Sequence, residues 1–246
     1  MKNIKFRNFT ITKREILVSI VIAALMIMFG FLISTKWSES QQESDIKYNK
    51  AIQIDNDTEL FQYGMNTNVG NAFVYGQLKA VDPVTYPEIG GEYMYVQKIE
   101  EHYNMHTRTV TTTDSNGKTH TKTETYWSWD YAGEESKSCQ TINFCGVEFK
   151  SSKIPFPSDE YIDTLKGRYH VRFKYYGVTV VNKGTIFSSL RDKTINETKY
   201  YNNMNLEETF RHVTTHFPMW LFWILWIMLT GVAVFGFCYL ENRWLE

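Results

Sequence analysis

Three histidines, His102, His106 and His120, fall in the middle of the chain within twenty residues of one another, and imidazoles so grouped are what a metal site would use. Their spacing argues against one. Asp114-Ser115-Asn116-Gly117 supplies turn formers between two β-rich segments, so the three sit on the arms of a hairpin. With Ser115 and Asn116 at the turn centre, paired positions sum to 231; His120 then faces Thr111 and His106 faces Thr125, some five residues away along the ribbon. At about 3.3 Å per residue that separation is far outside one coordination sphere. The expectation is no metal and no cofactor.

Cys139 and Cys145 are the next candidates. In an oxidising compartment they could bridge, with Gln140 to Phe144 as the intervening turn; two buried thiols are the equal alternative. Neither sits in a reactive-cysteine motif. Glu100-Glu101, Glu134-Glu135 and Glu207-Glu208 are acid pairs, but neighbours on a strand point to opposite faces, which fits solvated edges better than an acid and base on one bond. The chain contains no GxSxG, GxxxxGK[ST], HExxH or GxGxxG. No catalytic residue is expected, and the rival reading is a membrane-tethered hydrolase whose site is assembled from distant residues.

The elements that would position these groups begin with two apolar blocks. Ile16 to Ile33 is an 18-residue run with no charge, long enough at about 1.5 Å per residue to cross a bilayer. Lys2, Lys5, Arg7, Lys13 and Arg14 precede it, so the basic tail 1–15 is expected in the cytoplasm and 16–33 in the membrane. A cleaved signal peptide is the weaker reading, because Leu32-Ile33-Ser34-Thr35-Lys36-Trp37 offers no small-x-small site. Met219 to Leu240 is the second uncharged block, and the second span is placed at 218–240. Trp37, Trp220, Trp223, Trp226, Tyr239 and Trp244 are read as headgroup-level anchors. Two spans put both termini, including the tail 241–246, in the cytoplasm.

Everything from about 34 to 204 is then a non-cytoplasmic β domain, opened by a polar linker at Ser38 to Lys50. Of 26 Lys and Arg in the chain six lie outside 35–216, leaving 20; of 27 Asp and Glu three lie outside, leaving 24. The excess of acid excludes a nucleic-acid or anionic-lipid docking domain. Strands are expected at Phe73 to Lys79, along both arms of the hairpin (Glu92 to Thr113 and Lys118 to Asp130), at Asn143 to Phe149, Gly167 to Tyr176, Val178 to Val181 and Gly184 to Leu190. Leu206, Phe210, Val213 and Phe217 follow a helical period, giving an amphipathic helix over 205–217 with Asn205 as N-cap. The fold class is mainly β with two transmembrane helices: an antiparallel barrel or curled sheet with a long hairpin, between the two spans.

The hairpin tip is almost wholly polar, and Thr107, Arg108, Lys118, His120 and Lys122 are the candidate partner-binding residues, through strand addition at the ribbon edge. Asn56-Asp57-Thr58 and Asn196-Glu197-Thr198 match the glycosylation sequon.

In order and pattern the chain resembles the LUMA family of nuclear-envelope and endoplasmic-reticulum membrane proteins. The matching words are Gly76-Gln77-Leu78 ahead of Asp82-Pro83, Lys98-Ile99-Glu100-Glu101-His102-Tyr103, Thr125-Tyr126-Trp127-Ser128-Trp129, Gly167 to Phe173, and Glu207-Glu208-Thr209-Phe210, over roughly residues 70–225. The resemblance implies a β-rich domain held against a membrane, serving scaffolding rather than catalysis; separately, the expected associates are the bilayer and a protein partner or a second copy. It departs in having one C-terminal span where the family has several. A composition rich in Lys, Asn, Ile and Tyr fits an AT-rich genome, so a bacterial cell membrane is the expected site, with endoplasmic reticulum or nuclear envelope the eukaryotic equivalents.

Overall fold

In the computed structural model the backbone is described for residues 4–6, 9–11, 13–114 and 117–244, and side chains for 14–114 and 117–241. The chain divides into two compact units, one made of its two ends (1–50 and 210–246) and one made of Ala51–Thr209.

The terminal unit is built on two helices, each long and apolar enough to cross a membrane. The first, α1 (Lys13–Asn49), runs for 37 residues, about 55 Å at 1.5 Å per residue. It continues through Ser38–Asn49, where the sequence suggested a linker; no Gly or Pro lies between Gly30 and Gly64 to stop it, and Lys47 sits in its last turn, where the helix dipole favours a cation. Ahead of it, β1 (Ile4–Phe6) and β2 (Phe9–Ile11) pair antiparallel within what was read as a plain basic tail. The last helix, which becomes α4 below (Met219–Trp244), extends beyond Leu240 into the segment expected to be an unfolded tail.

These two helices pack antiparallel. Contacts run in reverse order from Ser19 Oγ with Cys238 Sγ (3.6 Å), through Phe31 with Trp223 (5.0 Å between ring centroids), to Ser34 Oγ donating to Met219 Sδ (3.4 Å) and Trp37 stacked on Phe217 (5.9 Å). Gly30 makes the close approach possible, since a Cβ there would lie 2.6 Å from Trp226 Nε1. That indole donates to the Met26 carbonyl at 2.8 Å. Trp223 and Trp226 therefore pack one helix against the other. Trp220 and Tyr239 do present exposed rings, and the Trp244 side chain lies outside the described residues.

The β unit is two sheets and two short helices. Strand β3 (Ile52–Asp55) leads to α2 (Thr58–Asn66), whose N-cap Asp57 accepts from the Leu60 amide at 2.9 Å and whose Phe61 and Met65, one turn apart, are buried. Strand β4 (Gly70–Ala80) is central to a six-stranded sheet with β7 (Thr141–Phe144), β8 (Val147–Lys150), β11 (Val181–Arg191) and β12 (Thr194–Asn202) in the order β12-β11-β4-β7-β8, and β3 adds to β4 in parallel. The second sheet has β5 (Tyr93–Thr113), β6 (Thr119–Ser138), β9 (Glu160–Lys166) and β10 (Val171–Thr179) in the order β6-β5-β10-β9. Apart from β3 all of this pairing is antiparallel, one sheet curls into a half-barrel, and the mainly β class with two flanking apolar helices is what the chain adopts.

Two expected strands are really turns and strands. Asn143 to Phe149 is the β7–β8 hairpin, folded back at Cys145 and Gly146, both at positive φ; Gly167 to His170 is a turn, so β10 starts only at Val171. The amphipathic helix, α3 (Leu206–Thr214), is shorter than 205–217 but capped as expected: Asn205 Oδ1 accepts from the Glu208 amide (2.8 Å) and Glu208 returns the bond to the Asn205 amide (3.0 Å).

The sheets join at a corner where β10 runs into β11 through Val180, and β6 into β7 through Cys139 and Gln140. Asp82 pins it, its two carboxylate oxygens accepting from the Gln140 and Thr141 amides at 2.7 Å each. The main core lies between the six-stranded sheet and α2, around Ile54, Phe61, Leu78, Met94, Phe144 and Ile186. A smaller one, Tyr86, Val96 and Tyr175, lies where the 84–91 loop covers one face of the four-stranded sheet.

Candidate functional site: the ribbon and the groove at its base

Strands β5 and β6 form one long ribbon, and β10 covers β5 only as far as His102. Beyond that point the ribbon stands on its own pairing. Asp114 and Gly117 make the turn: the Gly117 amide donates to the Asp114 carbonyl and the Asp114 amide to the Lys118 carbonyl, both at 3.0 Å. Gly117 at φ +76° contributes an extra residue on the second arm, so paired positions near the tip sum to 232 rather than 231. His120 therefore faces Thr112, and His106 faces Tyr126. The turn centre, Ser115 and Asn116, lies outside the described residues.

The tip residues are brought onto one ribbon, but their charges largely satisfy each other. Arg108 bonds Glu124 at 3.0 Å, Lys122 approaches the same carboxylate at 3.8 Å, and His120 lies 3.5 Å from Asp114, which also accepts from the Lys118 amide at 2.8 Å. Thr107 faces Thr125. Lower on that ribbon His106 bonds Asp130 (2.7 Å) and His102 bonds Glu100 (2.6 Å), each imidazole with a carboxylate of its own. Among the described residues no three metal-ligating side chains converge.

Cys139 and Cys145 stand free and buried. The segment between them is strand β7 and not a turn, so they lie at its opposite ends, about 20 Å apart at 3.3 Å per residue, where no bridge can form. Burial pushes the Cys139 thiol up to about 11 and raises Cys145 as well, which makes both poor nucleophiles. Asn56 is exposed, whereas the Asn196 amide oxygen accepts from Lys153 Nζ at 3.2 Å.

Where the ribbon meets the sheet, its two faces differ. One carries a charged clip: Glu88, on the 84–91 loop, accepts from Lys98 Nζ (2.9 Å) and from the Tyr175 hydroxyl (3.0 Å), while Lys98 lies 4.5 Å from the Phe173 ring centroid. The other face carries aromatics and cations. Tyr103 packs between Trp127 (5.3 Å) and Trp129 (5.0 Å), His170 meets Tyr103 and Trp127 edge-on, and Tyr169 stacks on His170 at 3.9 Å. Arg172 lies over Trp129, and Glu101 holds both Arg172 and Lys174.

This second face borders a groove of about 450 Å³ between the ribbon and the β9–β10 turn. Sequence reading missed it, because Arg168 to Tyr175 scans as an alternating strand. The signal present was Gly167 followed by three polar or aromatic residues, a turn pattern. The molecule's class is thus a two-sheet β domain bracketed by apolar helices, with a projecting ribbon and an aromatic groove at its base. No protein-family model, no curated protein and no solved structure matches the chain.

Proposed function

We propose that this chain is an integral membrane scaffold whose two helices hold the β domain at a bilayer and whose ribbon engages a protein partner or a second copy. The carrying observation is the ribbon itself: 20 residues of β6 form an outermost strand of their sheet, with nothing paired on its far side among the described residues. A long unpaired edge is normally eliminated or blunted, and strand addition is the chemistry it offers. Large apolar side chains such as Leu17, Val21, Ile27, Met28, Ile227, Met228 and Val232 are half or more exposed on the two helices, a surface suited to lipid and not to water. Five basic residues ahead of the apolar run that starts at Ile16 support cytoplasmic termini. The LUMA resemblance agrees with a scaffold and adds no catalytic residue.

The test is affinity capture of the intact chain from its own membrane, beside a variant in which Thr107 to Thr125, a register-matched pair, are replaced by Asn-Gly. Loss of a specific partner, with the unfolding midpoint of the domain unchanged, is the expected result. An identical partner set would discard the ribbon as the docking element.

A further inference from the structure

Given the reading of the ribbon as the docking element, the groups on its outer edge decide which partner fits. The Tyr103 amide donates to the His170 carbonyl at 2.8 Å, away from β6, so along the free ribbon the even residues of β5 bond β6 and the odd ones do not. Opposed residues share that phase: on β6 the odd positions from Thr119 to Tyr131 turn their N–H and C=O groups outward. Those groups have no strand beside them among the described residues. The side chains along this edge alternate between two faces. On one face every odd position of 107–113 and of 119–125 is threonine, and all of them are exposed; on the other lie His120, Lys122, Glu124 and Tyr126.

Both signs of charge stand on this edge, two residues apart. Glu124 gives one oxygen, Oε2, to Arg108, while Oε1 has Lys122 of its own strand at 3.8 Å. The Lys122 side chain is 79% exposed and free to reach a neighbour. A lysine by itself on an edge discourages pairing; a lysine two residues from a glutamate is self-complementary when a second copy of the same strand runs antiparallel to it. The free edge of the β5 arm offers no such match, since it carries Arg108 and no acid between Asn104 and Thr113.

Such a two-fold pair has one free parameter, the residue on its axis, and the charges choose it. Centres at His120, Thr121 and Lys122 set Lys122 against Lys118, His120 and itself; a centre at Glu124 sets that carboxylate against its own copy. Centres at Thr125 and Tyr126 set His120 or Lys122 against Asp130, whose carboxylate already engages Asn104, His106 and Ser128. A centre at Thr123 opposes Lys122 to Glu124 of the second copy, twice, and Thr121 to Thr125, twice. It leaves Thr119 against Trp127 and His120 against Tyr126, so no like charges are opposed. Because the odd positions face outward, Thr123 falls on a hydrogen-bonded pair, and the opposed pairs across 119–127 exchange about ten main-chain bonds.

We infer that the ribbon's partner is a second copy of this chain, joined edge to edge with β6 antiparallel to β6 and Thr123 on the two-fold axis. The test introduces single cysteines into the full chain in its membrane and reads disulfide-linked dimers under mild oxidation. Thr123→Cys should give at least about tenfold more dimer than Thr109→Cys, which is exposed on the same face directly across the ribbon. Lys122→Glu and Glu124→Lys, each added to Thr123→Cys, should lose most of that dimer by opposing like charges. Co-expressing the two charge variants, or combining both changes in one chain, should restore it, and restoration excludes misfolding as the cause of the loss. Greater crosslinking at Thr125→Cys or Tyr126→Cys would overturn the register, and Thr123→Cys dimer no greater than that of Thr109→Cys would overturn the self-pairing. In that last case a different protein lost with the ribbon in the affinity capture would leave the docking reading standing, whereas an identical partner set would end both.

Discussion

The guanidinium carbon of Arg172 lies 4.2 Å from the Trp129 ring centroid while its Nε donates to Glu101, so one side chain locks β10 to both arms of the ribbon. Lys174 Nζ donates to the other Glu101 oxygen at 3.0 Å. Burial would raise the Glu101 carboxyl, but the bonds from Lys174 and Arg172 outweigh it and hold the group below its ordinary 4.5. Glu101→Gln should destabilise the domain by about 1–2 kcal/mol, since it leaves two partly buried cations facing a neutral amide. Because the folded carboxyl is the more acidic, its contribution is complete above pH 4.5 and is lost as pH falls through the folded value. Urea unfolding of both proteins at pH 7 and pH 3 checks this: the difference between them should shrink at the lower pH.

The Glu88 clip predicts a stability plateau with two limbs. The Lys98 hydrogen bond holds Glu88 down at about 2, and burial, followed by the bond to Glu88, pushes Tyr175 up to about 12. Glu88 therefore stabilises the fold above about pH 4.5 and ceases to as pH falls toward 2. Tyr175 acts in the opposite sense: its contribution is full below pH 10 and is lost as pH rises from 10 to 12. Tyr175→Phe keeps the ring against Tyr86, 5.9 Å between centroids, and should reduce the alkaline limb, to which buried Tyr200 also contributes, while only slightly diminishing the acidic one, which the Lys98 bond to Glu88 dominates. Thermal unfolding across the pH range reads both limbs in one series.

What could be read in advance follows physical lines. The two apolar helices were legible because an uncharged run of 18 residues or more has few other uses, and the ribbon because a turn tetrad separates two runs of Thr, Tyr and Trp. The register missed by one because Gly117 adopts a left-handed φ and adds a residue to one arm, a choice that the letters Asp-Ser-Asn-Gly do not dictate. Ser38–Asn49 was opaque for a different reason: a polar helix with no apolar stripe has no period to find. Strand β12 was missed because its alternation is broken at Glu197, a positive-φ residue where its pairing with β11 shifts register, and β9 because its pairing with β10 shifts register at Tyr175 and Tyr176. The groove was the least legible, since Tyr103, Trp129 and Arg172 come from three strands and meet only through sheet pairing.

His170 supplies a prediction in which backbone and side chain pull apart. Glycine at a positive φ relieves roughly 1 kcal/mol of strain, whereas alanine keeps the strain and loses the ring. His170→Ala should therefore be the more destabilising of the two, by about 1 kcal/mol relative to His170→Gly. Both remove the imidazole from Tyr103, Trp127 and Tyr169, so both should change tryptophan emission alike. A larger loss for glycine than for alanine would refute the strain.

The helix pair can be tested through a cysteine already in the chain. Ser19 Oγ and Cys238 Sγ are 3.6 Å apart on α1 and α4. Ser19→Cys should therefore crosslink to the native Cys238 under mild oxidation in membranes, within one chain, and migrate faster on a non-reducing gel. At the other tight point a Cβ on Gly30 would fall 2.6 Å from Trp226 Nε1, so Gly30→Leu should push the helices apart and abolish the crosslink. Adding Trp226→Ala makes room for the leucine and should restore it. Recovery in the double variant separates a local steric clash from general misfolding, because a chain that had simply failed to insert would not regain a bond between residues more than 200 positions apart.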